Sequence, residues 1–177
     1  QSGSTSVLER MNRGYTREDY MDRIMAIRRI IPGCALSTDI ISGFCGETEQ
    51  DHQDTLSLME WSGFHFSYMF KYSERPKTLA ERQYKDDVPD EVKTRRLTEI
   101  VDLQQSLSKK RMEDMTGKTH LVLVEGPSKR SSEMLMGRNT ENAVVVFPKE
   151  NFKPGDYVEV LAESCTAATL IGRAVVK

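Results

Sequence analysis

The sequence predicts an α/β unit with parallel strands, followed by a small five-stranded β-barrel. Between residues 16 and 70 the apolar runs read helix, strand, helix, strand, an order typical of parallel strands joined by crossover helices. From Lys118 onward, five short β-type runs alternate with turn residues, which is typical of a closed barrel of the oligonucleotide-binding kind. This change from alternating helices and strands to short β-type runs predicts two domains, residues 1–112 and 113–177.

The first strong element is a helix that begins at Thr16. Asp19 stands at the capping-box position, and acidic residues fill the first turn. Helical spacing places four apolar residues on one face: Tyr20, Ile24, Ile27 and Ile31. Pro32 and Gly33 are predicted to end this helix.

A strand, a glycine loop and a second helix follow. Residues 34–41 read as a buried strand, and the loop runs from Gly43 to Gly46. Thr48 caps the next helix, which is predicted over residues 49–61 with Leu56, Met59 and Trp61 on its inner face. Gly63 ends this helix, and the aromatic run of residues 64–70 is predicted to form a strand.

The strand–glycine–helix layout is where a small ligand is expected. Glycines permit positive φ and a close approach of the backbone, and a helix N-terminus follows. A tight turn without a ligand is the alternative. Two strands and two helices do not cover both faces of a parallel sheet, so the unit is expected to be part of a larger α/β sheet or barrel.

A polar loop and a long helix complete the first domain. The loop covers residues 72–80, and Val88-Pro89-Asp90 opens a helix that is predicted to end near Lys109-Lys110-Arg111. The apolar stripe of this helix is Val92, Leu97, Ile100, Val101, Gln104 and Leu107. The charged residues from Lys93 to Arg96 are predicted to form a solvated face.

Composition excludes several classes of protein. The net charge of −2 argues against binding nucleic acid through overall charge, so any RNA contact needs a local patch. No apolar run reaches membrane-spanning length. The three cysteines fit neither a disulfide framework nor a zinc site, and they are expected to be free thiols in a reducing cytoplasm. The start at Gln1 suggests an internal fragment.

The barrel offers one candidate patch for RNA. Lys129, Arg130 and Arg138 flank its second strand and are placed to meet phosphates. Acidic residues slightly outnumber basic ones in this domain, and aromatic residues are few. On these residues alone, a protein-binding barrel and an RNA-binding barrel both stay open.

Seven motifs in order resemble the C-terminal part of the MiaB-type tRNA methylthiotransferases, which are radical S-adenosylmethionine enzymes. The motifs are QSGS at Gln1–Ser4, M-x-R-x-Y-T at Met11–Thr16, DIISGFCGET at 39–48, SYMFKYSERPKTLA at Ser67–Ala80, VPDEVKTRRL at Val88–Leu97, VLVEGPSKRS at Val122–Ser131 and GRNTENAVVVF at Gly137–Phe147. Each motif alone is weak, whereas their joint order and spacing are specific.

The resemblance implies the second half of a radical S-adenosylmethionine partial (β/α) barrel, followed by a TRAM RNA-binding barrel. It implies addition of a methylthio group to an isopentenylated adenosine next to the tRNA anticodon. The implied cofactors are S-adenosylmethionine and two 4Fe–4S clusters. Clusters need cysteine thiolates, and those of the family lie upstream of Gln1. This fragment alone is therefore expected to be inactive, to ligate no metal and to carry no catalytic residue, with the missing N-terminal domains of the same protein as its partner.

The resemblance also assigns residues to S-adenosylmethionine. Gly43, Phe44, Gly46 and Glu47 match the loop that lies along the adenosine part, with backbone groups as the binding groups and Phe44 packed on the base. Cys45 departs from the family, which more often has proline there, and it is interpreted as structural.

Four further residues are assigned to the cofactor. Arg13 is placed to hold a carboxylate or phosphate, or to form a surface salt bridge. Asp39 is expected to end its strand and point into the barrel mouth, where it bonds either a substrate or local backbone donors. Gln1 and Ser2 are expected near the cofactor in the complete enzyme and frayed in this fragment.

The implied RNA partner is a tRNA anticodon stem-loop. Its predicted contacts are Tyr72, Ser73 and Arg75 in the polar loop, and Lys129, Arg130 and Arg138 in the barrel. Two other functions stay open: a methylthiotransferase that acts on a ribosomal-protein aspartate, and a non-catalytic RNA-binding fragment.

Overall fold

A computed structural model describes residues 1–175 and divides the chain into two compact units, Gln1–Leu107 and the residues from Ser108 onward. The predicted domain 113–177 ends in Val176 and Lys177, which lie outside the described residues. The elements are α1 (Thr5–Arg10), α2 (Arg17–Ile30), β1 (Ser37–Ser42), α3 (Glu49–Ser62), β2 (Phe66–Lys71), α4 (Leu79–Gln83), α5 (Asp90–Met115), β3 (Thr119–Ser128), β4 (Ser131–Asn139), β5 (Val144–Pro148), β6 (Tyr157–Cys165) and β7 (Thr169–Ala174).

The first unit is built on the parallel pair β1–β2, which confirms the predicted strand order. Ser37 pairs with Phe66 and Ser42 with Lys71, and α3 is the crossover helix between the two strands. Ile24, Ile40, Met59, Phe64 and Ile100 form the buried cluster between this sheet and its helices. Only one face of the sheet is packed in this way.

Both predicted capping boxes are present. Thr16 accepts a hydrogen bond from the Asp19 N–H at the start of α2, and Thr48 accepts one from the Asp51 N–H at the start of α3. The predicted inner face of α3 is confirmed, because Leu56 and Trp61 pack against the buried cluster that contains Met59. Leu58 is buried as well and was not predicted. Ile31 lies beyond the end of α2 and is exposed, so its place on the predicted face of that helix was wrong.

Two short helices and one helix end differ from the sequence prediction. α1 and α4 were not predicted, because five or six residues carry too little periodicity to be recognised. The long helix continues past its basic cluster to Met115. Met115 is buried, so apolar packing extends the helix beyond the point that the charge pattern suggested.

The second unit is a closed five-stranded barrel with the strand order β3-β4-β5-β7-β6. All neighbours are antiparallel except β5 and β7, which pair in parallel from Val144 with Thr169 to Val146 with Ile171. Inward-facing residues alternate along each strand and fill the interior, with Phe147, Val145 and Leu170 fully buried. The five predicted strands are confirmed.

None of the helices within residues 1–175 combines the length and the apolar character that crossing a bilayer requires.

Candidate functional site

The glycine loop connects β1 to α3 as the sequence predicts. Gly43 and Gly46 have φ values of 78° and 70°, a region that side chains with a Cβ rarely adopt. Gly43 is buried, and a Cβ on it would overlap the side chain of Lys93. The loop therefore needs glycine at this position for its conformation and for its packing.

The amide groups of the two glycines have partners within the protein. The Gly43 N–H donates to the Glu47 carboxylate at 3.0 Å, and the Gly46 N–H donates to Asp87 Oδ1 at 2.7 Å. The Glu47 N–H in turn donates to the Phe44 carbonyl at 2.9 Å. In this structure these three amides fix the shape of the loop rather than point at open space.

Two arginines hold the second half of the loop. Arg10 Nε donates to the Cys45 carbonyl at 3.1 Å, and its Nη2 donates to the Gly46 carbonyl at 3.3 Å. Arg96 Nη1 donates to the Glu47 carbonyl at 2.9 Å and to Glu47 Oε1 at 3.0 Å. Charged donors make stronger hydrogen bonds than neutral ones, so the loop carbonyls are firmly held.

Glu47 is a buried carboxylate with cationic and backbone donors. Burial raises the pKa of Glu47 above its usual value, and the Gly43 N–H and the Arg96 guanidinium act against that rise. Arg96 is itself only 5% exposed. The buried ion pair of Glu47 and Arg96 thus stabilises the loop from within the protein. Each of the two charges is tolerated in the interior because the other is present.

Phe44 belongs to the core beneath the loop. It is 5% exposed and lies in a cluster with Val7 and Cys45. Its ring meets Tyr72 edge-on, with the ring centroids 4.8 Å apart, and that of Tyr84 at 6.3 Å. The structure thus gives Phe44 protein partners on its flanks rather than an open face.

The other face of the β1–β2 sheet is open in this chain and carries Asp39. Asp39 is exposed in the middle of β1, not at the end of a buried strand, so that part of the prediction was wrong. It lies directly opposite Tyr68, which is 59% exposed. Phe66 and Phe70 share this face. The alternation in residues 64–70 is the sequence signal for this aromatic face as well as for the strand.

Gln1 and Ser2 are held in place and are not frayed as predicted. The Gln1 carbonyl accepts a hydrogen bond from the Ile41 N–H at 3.0 Å, beside β1. Ser2 is buried, with its hydroxyl 3.3 Å from that of Thr55 on α3. Arg13 is exposed, and Arg13 and Asp39 both lie within electrostatic range of the Gln1 backbone nitrogen. The structure therefore brings Gln1, Arg13 and Asp39 near one another.

The N-terminus of α3 is tied to the first segment of the chain through Asp51. Its Oδ1 accepts hydrogen bonds from Ser4 Oγ at 2.5 Å and Ser6 Oγ at 2.9 Å, and its Oδ2 accepts from the Thr48 N–H at 2.9 Å. Burial alone would raise the pKa of Asp51, but the hydrogen bonds from Ser4, Thr48 and Ser6 outweigh it and hold this pKa at about 2.

We expect the free energy of unfolding to decrease at acidic pH because Asp51 becomes protonated. A lowered pKa contributes stability that is fully present well above the unfolded value of 3.8 and is lost as the pH falls toward about 2. Between pH 6 and pH 3 this loss amounts to about 1 kcal/mol. The D51N variant lacks the contribution, so its stability deficit relative to the wild type should shrink by that amount. Urea unfolding followed by Trp61 fluorescence measures it, with E60Q as the control; an unchanged deficit contradicts the prediction.

The residues predicted to contact RNA lie in the loop after β2 and in the barrel. Ser73 and Arg75 are exposed, whereas Tyr72 is half-buried against Phe44. In the barrel, Lys129 and Arg130 are exposed in the turn between β3 and β4.

Arg138 lies apart from these two barrel residues. It stands near the far end of β4, which at about 3.4 Å per residue is roughly 25 Å from the turn. It is already paired with Glu125, at 3.2 Å, and donates to the Asn142 carbonyl at 3.1 Å. The three basic residues therefore do not form one compact patch.

Comparison with known proteins agrees with this architecture. Residues 113–175 match the family model described as the TRAM domain. The chain is 57% identical over 175 residues to the tRNA-2-methylthio-N(6)-dimethylallyladenosine synthase of Flavobacterium psychrophilum, covering 99% of this chain and 36% of that protein. The corresponding synthase of Prosthecochloris aestuarii is 56% identical over 98% of this chain, and that of Bacteroides thetaiotaomicron is 54% identical over 99%.

The chain belongs to this synthase family. As a family member it spans 36% to 39% of the length of these curated relatives. Its barrel is a TRAM domain, and its first unit is the α/β segment that precedes this domain.

Proposed function

We propose that this chain is the C-terminal portion of a tRNA methylthiotransferase that adds a methylthio group to an isopentenylated adenosine beside the anticodon. The observation that carries the proposal is the identity of 53% to 57% over nearly the whole chain to proteins named as tRNA-2-methylthio-N(6)-dimethylallyladenosine synthases. These names favour a tRNA substrate over a ribosomal-protein aspartate. A cytoplasmic location follows from such a substrate.

S-adenosylmethionine is the cofactor that we propose for the glycine loop and the open sheet face. The residues that we assign to it are Gln1, Ser2, Arg13, Asp39, Gly43, Phe44, Gly46 and Glu47. Of these, Arg13 and Asp39 are exposed, whereas Phe44 and Glu47 are buried and support the loop from within the protein. The positive φ values at Gly43 and Gly46 and the exposed carboxylate of Asp39 support this assignment. When bound next to a reduced cluster, this cofactor supplies the 5′-deoxyadenosyl radical.

The residues of this chain have binding roles in that chemistry. The Asp39 carboxylate accepts hydrogen bonds from a hydroxyl or amine, and the Arg13 guanidinium offers a bidentate partner for a carboxylate. The aromatic residues of the same sheet face exclude water from a bound ligand. The protein thereby positions the cofactor against the base.

The cysteines of this chain do not fit a 4Fe–4S cluster. Cys34, Cys45 and Cys165 are free, and Cys45 is buried. Within residues 1–175, one group of side chains has its ligand atoms close enough together to hold a metal ion, and this group, Glu49, His52 and Glu99, contains no cysteine. We therefore derive no step through either cluster and assign both to the remainder of the protein.

The reaction is tested with the full-length protein, reconstituted anaerobically with iron and sulfide. We expect tRNA that carries isopentenyladenosine to gain the methylthio group, as seen by mass spectrometry of its nucleosides. An unchanged nucleoside under conditions in which both clusters are assembled would contradict the proposal.

We also propose that the TRAM barrel contacts the tRNA backbone through Lys129, Arg130 and Arg138, with Tyr72, Ser73 and Arg75 as a second contact region. The K129A/R130A/R138A variant of the full-length protein should bind tRNA more weakly. Because each phosphate contact contributes about 0.7–0.9 to the slope of log affinity against log salt, the slope should fall by about 2. Filter binding across a salt series measures this, and K118A/K149A/K153A removes three other exposed barrel lysines as the control. Equal slopes for the two variants would contradict the assignment.

A further inference from the structure

Lys93 and Arg96 on α5 are buried, although their sequence pattern predicts a solvated face. Lys93 is 4% exposed and Arg96 is 5% exposed. Burying a charged side chain costs several kcal/mol unless it has partners of opposite charge. Lys93 and Arg96 therefore need partners within the protein, and those partners lie in and next to the glycine loop.

Lys93 covers the first glycine of the loop. Its aliphatic stem lies where a Cβ on Gly43 would be, and its Nζ lies 5.1 Å from the centroid of the Tyr72 ring. The ammonium pairs with Asp86 at 2.5 Å and 2.6 Å. Lys93 thus fastens the segment that precedes α5 to the start of the glycine loop.

Asp87 and Arg96 hold the end of the same loop. Asp87 Oδ1 accepts the Gly46 N–H at 2.7 Å. Arg96 donates to both the carbonyl and the carboxylate of Glu47. The stretch from Asp86 to Arg96 therefore contacts the loop at three positions, Gly43, Gly46 and Glu47.

These contacts restrain a backbone that is otherwise flexible. Gly43 and Gly46 lose more conformational entropy on ordering than any other residue type, so a binding loop built on them needs external restraints. Restraining a loop in its binding conformation before the ligand arrives lowers the entropic cost of binding. None of the three side chains has to touch the ligand to have this effect.

We propose that Asp87, Lys93 and Arg96 are positioning residues that hold the glycine loop in its cofactor-binding conformation. This proposal rests on the proposed binding of S-adenosylmethionine by the loop. It assigns the VPDEVKTRRL motif, together with the two aspartates before it, to control of cofactor affinity.

Asp87 offers the sharpest test because its side chain is exposed and makes a single described contact with the loop. In the full-length protein, D87A should weaken S-adenosylmethionine binding about tenfold in equilibrium dialysis. D87N keeps an oxygen acceptor for the Gly46 N–H and should restore most of the affinity. E91A, at an exposed position in the first turn of α5, is the matched control.

A second readout needs no cofactor. Hydrogen exchange of the peptide that contains residues 43–48 should be faster in D87A than in D87N or E91A, with unchanged exchange in the barrel strands. K93M keeps the stem over Gly43 but releases Asp86, and it should show a similar but smaller effect than D87A. A merely structural role would change thermal stability in step with affinity, whereas a positioning role changes loop exchange and affinity while the melting temperature is retained.

The outcomes separate the two proposals. If wild-type protein binds S-adenosylmethionine and D87A binds it equally well with unchanged loop exchange, the positioning role is wrong and the proposed function stands. If the wild-type protein binds no S-adenosylmethionine, the proposed function of the loop is wrong, and with it the positioning role.

Discussion

Replacing Phe147 with alanine should lower the free energy of unfolding of the barrel by about 3–5 kcal/mol. Phe147 is fully buried in the middle of the barrel interior, and its ring centroid lies 6.2 Å from that of Phe152. The variant loses the transfer free energy of the ring and leaves a cavity, because a closed barrel cannot collapse around the space.

Trp61 is the only tryptophan and lies in the first unit, so its fluorescence does not report on the barrel. Hydrogen exchange of the β5 amides reports the opening free energy of the barrel instead. L121A, at a half-exposed position on the outer face of β3, is the control and should change this value by about 0.5 kcal/mol. A Phe147→Ala effect no larger than that of Leu121→Ala would show that the ring does not support the barrel.

Replacing Arg96 with methionine should destabilise the first unit by about 3–5 kcal/mol at pH 7. Methionine fills similar space, but it leaves the buried Glu47 carboxylate without its cation. The deficit should shrink as the pH is lowered from 7 to 5, because Glu47 without Arg96 takes up a proton in the folded state. A raised folded-state pKa contributes stability at low pH that is lost as the pH rises.

Urea unfolding followed by Trp61 fluorescence measures this effect. The E47Q/R96M double variant removes the buried charge together with its partner and should recover part of the lost stability. R95M is the matched control, since Arg95 is 46% exposed in its side chain and occupies the preceding position on the same helix. Equal losses for R95M and R96M would contradict a special role for the buried pair.

Much of the architecture could be predicted because short sequence patterns determine it. Thr16 with Asp19 and Thr48 with Asp51 are capping boxes that the structure contains, and alternating residues in the barrel revealed all five strands. The glycines at 43 and 46 predicted positive φ in the loop. Each of these signals is contained within a few consecutive residues.

The buried cations could not be predicted in the same way. Lys93 and Arg96 look like ordinary surface charges when α5 is considered alone, because their partners Gly43 and Glu47 lie about fifty positions earlier. Asp39 was predicted near the end of a strand over residues 34–41, whereas β1 begins at Ser37 and ends at Ser42, which places Asp39 in its middle. The parallel pairing of β5 with β7 likewise depends on barrel closure and not on the pattern of either strand.

The way the barrel closes has a consequence for protein synthesis. β7 is the last strand in the chain order of the barrel, and it fills the gap between β5 and β6. Until the ribosome has released this strand, β5 and β6 each present an unpaired edge, which is a template for pairing with other chains. Translation of an mRNA truncated before the codon for Thr169 would therefore yield a chain with two unpaired strand edges. Such a chain is prone to aggregate unless chaperones bind it or proteases degrade it.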